Sequence, residues 1–217
     1  MPPRNQNGKH LPFHGLDSLS HNHELEERYT LFTRSGKLRL LAFYTRARMG
    51  SFHRVLRLPG DINENIARTR RYGREKYGFI VNLEQELTDT LGSFLRYSWN
   101  DGATEDWAFT QLDRSLALGL TLQGRAWHRP NDTVGLAGAV NDLSPAHRRF
   151  LAAGGLGLII GDGRLRYASE KVLETYYSLS LFAGGTLSLD YQFLPTPGYN
   201  TDRGPVHVFG IRLHVEY

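Results

Sequence analysis

The chain has no cysteine in 217 residues, which excludes a disulfide scaffold, a thiolate metal site and a cysteine nucleophile together. It has no apolar run approaching the roughly eighteen residues that a transmembrane helix needs. It also lacks an apolar segment behind Met1, where Pro2, Pro3 and Arg4 lead into a polar run holding His10 and His14. That is not a secretory signal, so Met1 either starts a cytoplasmic chain or is not the true start. Charge of one sign is scarce as well: 26 Lys and Arg stand against 22 Asp and Glu, a formal +4, far from the stripe of a dedicated nucleic-acid binder.

What is present is 40% hydrophobic residues, 22% charged ones, 23 glycines, eleven Tyr and eleven Phe. This balance excludes a disordered tail. A mean hydropathy below zero does not exclude a membrane protein built of strands, because such spans alternate apolar and polar residues and average their hydropathy down.

Period two dominates. Phe209, Ile211, Leu213, Val215 and Tyr217 fall on one face and Val208, Gly210, Arg212, His214 and Glu216 on the other. The same alternation places Leu187, Leu189, Tyr191 and Phe193 against Ser188, Asp190 and Gln192, and Leu173 to Leu181 against Glu174 to Ser180, with a hairpin turn at Ala183-Gly184-Gly185. Leu116, Leu118, Leu120 and Leu122 oppose Ala117, Gly119, Thr121 and Gln123, and Phe79, Val81 and Leu83 oppose Ile80, Asn82 and Glu84. Less regular strands are expected over 24–33, 37–47, 92–100, 105–112 and 132–141.

Barrels of the outer-membrane type alternate tight turns on one rim with long loops on the other. Keeping that order requires one more strand over 154–161, where Leu156, Leu158 and Ile160 share a face, and gives eleven strands. Short links are then expected at Arg34 to Gly36, Thr88 to Leu91, Asp113 to Ser115 and Ala183 to Gly185, and long ones at 48–75, 162–169 and 195–205. One exception stands: Ser144, with Pro145 at the first helical position, predicts a short helix near 144–152 on the tight-turn rim. An odd count leaves the first and last strands parallel, so 24–217 reads as the C-terminal part of a longer barrel, preceded by an irregular segment over 1–23.

Other signals carry less. His21-Asn22-His23 offers two imidazoles without a third ligand nearby. Gly154-Gly155-Leu156-Gly157 lacks the Gly-Lys-Ser/Thr of a phosphate cradle, and Glu105 and Asp106 would point to opposite faces of a strand. There is no Gly-x-Ser-x-Gly elbow, so no enzyme and no cofactor is expected. The loop from Arg48 to Lys76 carries Arg54, Arg57, Arg68, Arg70, Arg71 and Arg74. Without aromatic interleaving or a binding motif it suits a solvated loop or a contact with anionic outer-leaflet lipid, not nucleic acid.

Several runs resemble a known family. These are Asn100-Asp101-Gly102 with Glu105, Trp127 through Arg129-Pro130 to Asp132-Thr133-Val134-Gly135-Leu136-Ala137, Ala153 to Gly157, Gly161-Asp162-Gly163, Glu174-Thr175-Tyr176-Tyr177, Asp190-Tyr191-Gln192, and Pro197-Gly198-Tyr199-Asn200-Thr201-Asp202-Arg203-Gly204-Pro205-Val206. In order and spacing, from about Glu24 to Tyr217, they resemble carbohydrate-selective porins of the OprB type. The resemblance implies an all-β, antiparallel transmembrane barrel of about sixteen strands, eleven of them present, in the outer membrane of a Gram-negative bacterium. It implies facilitated diffusion of sugars, contact with outer-membrane lipid, and recognition by the barrel-assembly machinery through the C-terminal strand.

If the oily faces meet lipid, the polar faces line a path for solute. The candidates are Glu84, Arg96, Gln123, Arg125, Glu174, Ser178, Asp190, Gln192 and Arg212. Their amides and charges would replace water around sugar hydroxyls. Turn counting sets Glu84 beside Arg96, and Ser178, Asp190 and Arg212 at one height, so that Glu84–Arg96 and Asp190–Arg212 could be bracing ion pairs. Tyr29, Tyr44, Tyr97, Trp99, Tyr177 and Tyr217 are candidates for aromatic girdles. The rival readings are a soluble β-barrel or sandwich binding a small ligand, and a truncated porin remnant that does not conduct.

Overall fold

A computed structural model describes residues 17–106 and 111–216. Nine strands form one antiparallel sheet in sequence order: β1 Leu19–Leu31, β2 Arg34–Met49, β3 Arg71–Glu86, β4 Leu91–Asn100, β5 Arg114–Gly124, β6 Arg129–Asp142, β7 Glu170–Phe182, β8 Gly185–Leu194 and β9 Val206–Val215. Among the described residues three α-helices lie outside the sheet: α1 Phe52–Val55, α2 Ile62–Arg68 and α3 Pro145–Ala152. Among the described residues no helix is long and apolar enough to cross a membrane.

Connections alternate without exception. Residues 32–33, 87–90, 125–128 and 183–184 make tight links on one rim, and 50–70, 101–113, 143–169 and 195–205 make long ones on the other. The turn at Phe32 and Thr33 holds both residues at positive φ, 48° and 68°, the backbone of a two-residue hairpin whose twist matches its strands. At 183–184 the same need is met by Gly184, φ 83°, which carries no Cβ to clash.

The expected eleven strands are therefore corrected to nine among the described residues. Residues 154–161 form no strand. Gly154 and Gly161 sit at φ 92° and 103°, and the backbone N–H groups of Leu156 and Leu158 donate to the side chains of Asn63 (2.7 Å) and Gln111 (2.8 Å), not to a ladder. Of the strand expected over 105–112, residues 105–106 and 111–112 are not in a strand, and 107–110 lie outside the described residues. The tight link expected at Asp113 to Ser115 is instead the end of a long loop running into β5, and the true turn is at 125–128. Ser144 does cap α3, its hydroxyl accepting from the His147 N–H at 3.1 Å. With two strands fewer, this helix falls on the long-loop rim, and the exception disappears. β1 also begins at Leu19, inside the segment expected to be irregular.

The apolar core is not under the sheet. Phe52, Val55, Ile66, Leu143, Ala146, Phe150, Leu151, Ile160 and Tyr199 pack together among the long loops. The large apolar side chains of the strands are left in the open: Leu118 is 55% exposed, Phe209 and Ile211 each 79%.

Candidate functional site

Cross-strand register sorts the strand residues into two faces. Leu40, Val81, Tyr97, Leu116 and Val140 share one row of partners, and Leu118, Leu173 and Phe193 lie in another on the same face. That face is an almost unbroken apolar belt. Tyr29, Tyr44, Tyr97, Trp99 and Tyr177 all lie on it, while Tyr217 lies outside the described residues. His21 and His23 also point this way from β1, and among the described residues no group of three potential ligands forms around them or elsewhere.

The opposite face is polar and carries two hydrogen-bonded groups. On β1 to β4, Arg39 donates to Glu26 at 2.7 Å and to Glu84 at 2.6 Å, Arg28 donates to Glu26 at 2.9 Å, and Asn82 links Glu84 (3.1 Å) to Arg96 (3.3 Å). Of these, Arg28, Asn82, Glu84 and Arg96 border a concavity of 870 Å³ with Lys37 and Phe94 on its wall. On β6 to β8, Asn141 donates to Glu170 at 3.0 Å, Gln192 to Glu174 at 3.2 Å, and Ser188 to Ser178 at 3.3 Å.

Between the two groups the wall is stripped of bulk. Gly119 faces the Phe94 ring across the ladder and Gly135 faces Tyr176. A Cβ at either glycine would collide with that ring. The aromatics therefore lie flat on the sheet and leave the space in front of it open.

Eight of the nine expected site residues share the polar face: Glu84, Arg96, Gln123, Glu174, Ser178, Asp190, Gln192 and Arg212. Arg125 does not. It belongs to the one-turn helix Arg125–Trp127 on the tight-turn rim. Both expected ion pairs are corrected. Arg96 stands opposite Asn82, and Glu84 opposite Phe94 with its charge met by Arg39. Asp190 stands opposite Gly210, and Arg212 opposite Ser188. Glu26, Arg28, Arg39 and Asn82, which bind the first network together, were not among the expected residues.

The long-loop rim is held by charged clasps. Asp113, fully buried, accepts from the Ser144 N–H at 2.7 Å and pairs with His147 Nδ1 at 3.1 Å. Burial pushes its carboxyl up, but the His147 contact and the Ser144 N–H outweigh this and hold it below its ordinary value. Arg203 and Asn200 clamp Asp162 and hold it low in the same way. Glu105 takes both nitrogens of Arg70, at 2.6 and 3.0 Å, and the Gly50 N–H at 2.7 Å. Asp106 faces Lys76, yet burial pushes its carboxyl up. At the tight-turn rim Asp132 gathers Arg129 (2.5 Å), the Tyr177 hydroxyl (2.5 Å) and the Ser180 N–H (2.9 Å).

Comparison with known proteins agrees with this arrangement. The family model described as carbohydrate-selective porin, OprB family, matches residues 2–217. Porin AaxA of Chlamydia abortus is 28% identical over 137 residues, 63% of this chain and 27% of that protein. The high-pH structure of Pseudomonas putida OprB superposes with a TM-score of 0.75 at 18% identity, covering 96% of this chain and 51% of that one. The chain thus spans about half the length of the solved structure it matches.

Proposed function

We propose, from the premise that this chain belongs to the carbohydrate-selective porin family, that it builds part of the wall of an outer-membrane channel through which sugars diffuse. Porin family and porin fold are those of channels rather than enzymes. The observation that carries the reading is the division of one sheet into an exposed apolar face and a hydrogen-bonded polar face. In water that apolar belt would be a liability. Against hydrocarbon it is the stabilising surface, and the backbone polar groups between paired strands are satisfied by the ladder.

On this reading the polar face lines the lumen. Glu174 with Gln192, and Asn82 with Arg96, offer acceptors and donors side by side, as vicinal hydroxyls require. Each exchange of a water for a side chain is nearly neutral in free energy, so a sugar is held long enough to enter and loosely enough to leave. Movement then follows the concentration gradient without a cofactor. The partners are the transiting sugar, outer-membrane lipid around the belt, and the barrel-assembly machinery acting on β9, in a Gram-negative outer membrane.

Planar-bilayer recording of the complete barrel tests this. Sugar should reduce conductance reversibly, and Arg212→Ala should change the sugar concentration that halves it while the folded barrel is retained. Unchanged sugar block would remove Arg212 from the path. Absence of any sugar-sensitive conductance would favour a non-conducting remnant, and recovery of the expressed chain in buffer rather than detergent would favour a soluble binding barrel.

A further inference from the structure

The polar face of the sheet sets an aromatic ring among hydrogen-bonding groups that have capacity to spare. Phe94 stands opposite Gly119 across the β4–β5 ladder, and its ring fills the space that a side chain at Gly119 would take. Phe43, on the same face, covers Gly78 of β3 in the same way. Covering a bare glycine stabilises a strand pair, and for Phe43 nothing more is needed. Phe94 differs in its surroundings. It is half-buried, with part of the ring on the glycine and part on the wall of the 870 Å³ concavity at the tight-turn end of β1 to β5.

Its neighbours on that wall are Glu84, directly opposite on β3, and Arg96, two residues along β4. Glu84 receives Arg39 and Asn82 on Oε1, which leaves Oε2 only Lys37, 4.0 Å away. Arg96 gives its Nε to Asn82, and its two terminal nitrogens meet no acceptor among the described residues. A free acceptor and free donors thus flank the ring. Water satisfies those polar groups but gains nothing from the ring. A pyranose engages both: its C–H bonds suit the negative face of an aromatic ring, and its equatorial hydroxyls reach donors and acceptors at the edge.

We propose that Phe94 is a stacking platform for a pyranose ring, with Glu84 and Arg96 holding the hydroxyls at its edge. This rests on the reading of the polar face as a sugar path, and adds that the path selects cyclic sugars over open-chain polyols. An open-chain polyol offers the same kind of hydroxyl but no continuous C–H face.

Planar-bilayer recording of the complete barrel with glucose and with sorbitol tests the platform. The unaltered channel should be half-blocked at a lower concentration of glucose than of sorbitol. Phe94→Leu should raise the glucose value roughly three- to tenfold, the range of one aromatic contact, and leave the sorbitol value in place. Phe94→Tyr, which keeps the ring, should retain the preference. So should Phe43→Leu, which removes a ring from the same face outside the concavity. Heat-dependent electrophoretic mobility confirms that each variant folds. Glucose block that Phe94→Leu leaves unchanged, or weakens no more than Phe43→Leu does, overturns the platform and spares the sugar path. Equal block by glucose and sorbitol in the unaltered channel does the same. Absence of block by either removes the path, and the platform with it.

Discussion

Asp113 shows how one residue ties the rim together. It joins the 101–113 loop to α3 through Ser144 and His147 with no exposed surface. Because its folded pKa lies below the ordinary 3.8, the stability it contributes is complete above that value and is lost as pH falls through the lowered one. Asp162 acts in the same direction. Asp106, raised by burial, acts in the opposite one: it costs least when protonated, so its penalty grows as pH rises. Pepsin cleavage within 143–169 should therefore accelerate as pH drops below about 4, the ordinary aspartate range. Asp113→Asn should loosen this loop near neutral pH by about 1–3 kcal/mol, the cost of a broken buried polar contact, and by little once Asp113 itself would be protonated, so that its acid response flattens. An acid response equal to that of the unaltered chain would show that Asp113 does not control the rim. At the glycines the steric logic is equally local. Gly135→Val should push the Tyr176 ring off the wall, narrowing the lumen and lowering single-channel conductance in the complete barrel.

At the scale of the element, alternation in the sequence assigned faces well and register poorly. Glu84 and Arg96 were expected as partners and do share a face, but the ladder is displaced by two residues, so Arg96 meets Asn82. Asp190 and Arg212 are displaced by the same amount. A shift of two preserves the face and exchanges every partner. For β3 and β4 the chain turns at 87–90, one residue ahead of the expected 88–91, and the first hairpin is misplaced as well. Gly36 drew the first hairpin turn toward 34–36, whereas the chain turns at Phe32–Thr33, residues that carry no turn signal. With the turn placed there, Glu26 falls opposite Arg39 and the missed network follows. The false strand at 154–161 arose because Leu156, Leu158 and Ile160 alternate, although only Ile160 is buried and glycines at positive φ bend the backbone around it. The runs that carried the family resemblance map largely onto clasps: Trp127, Arg129, Asp132 and Tyr177 form one, and Asp162, Asn200 and Arg203 another. They mark where loops are pinned. Leu118→Arg, on the exposed apolar face of β5, should cost about 2–4 kcal/mol of membrane-folded stability in a guanidinium titration, whereas Thr121→Arg on the polar face of the same strand should cost far less. Equal losses would mean that the two faces meet the same medium.

At the scale of the molecule, an apolar belt faces outward and the only hydrophobic core among the described residues sits on one rim. Having no cysteine makes the orientation simple to read. Single cysteines at Phe209, Ile211 or Leu213 should be shielded by detergent from a charged maleimide, and those at Gly210 or Arg212 should react. Reversed labelling would turn the sheet inside out.

Among the described residues, nine strands in an unbroken meander give β1 and β9 the same heading. Two copies threaded through a bilayer in the same sense would meet along like-directed seams. A copy can complete another antiparallel ring only upside down, with helical caps at both mouths. Self-assembly into a closed pore is therefore penalised by geometry, and a complementary wall must bring an odd number of strands of its own.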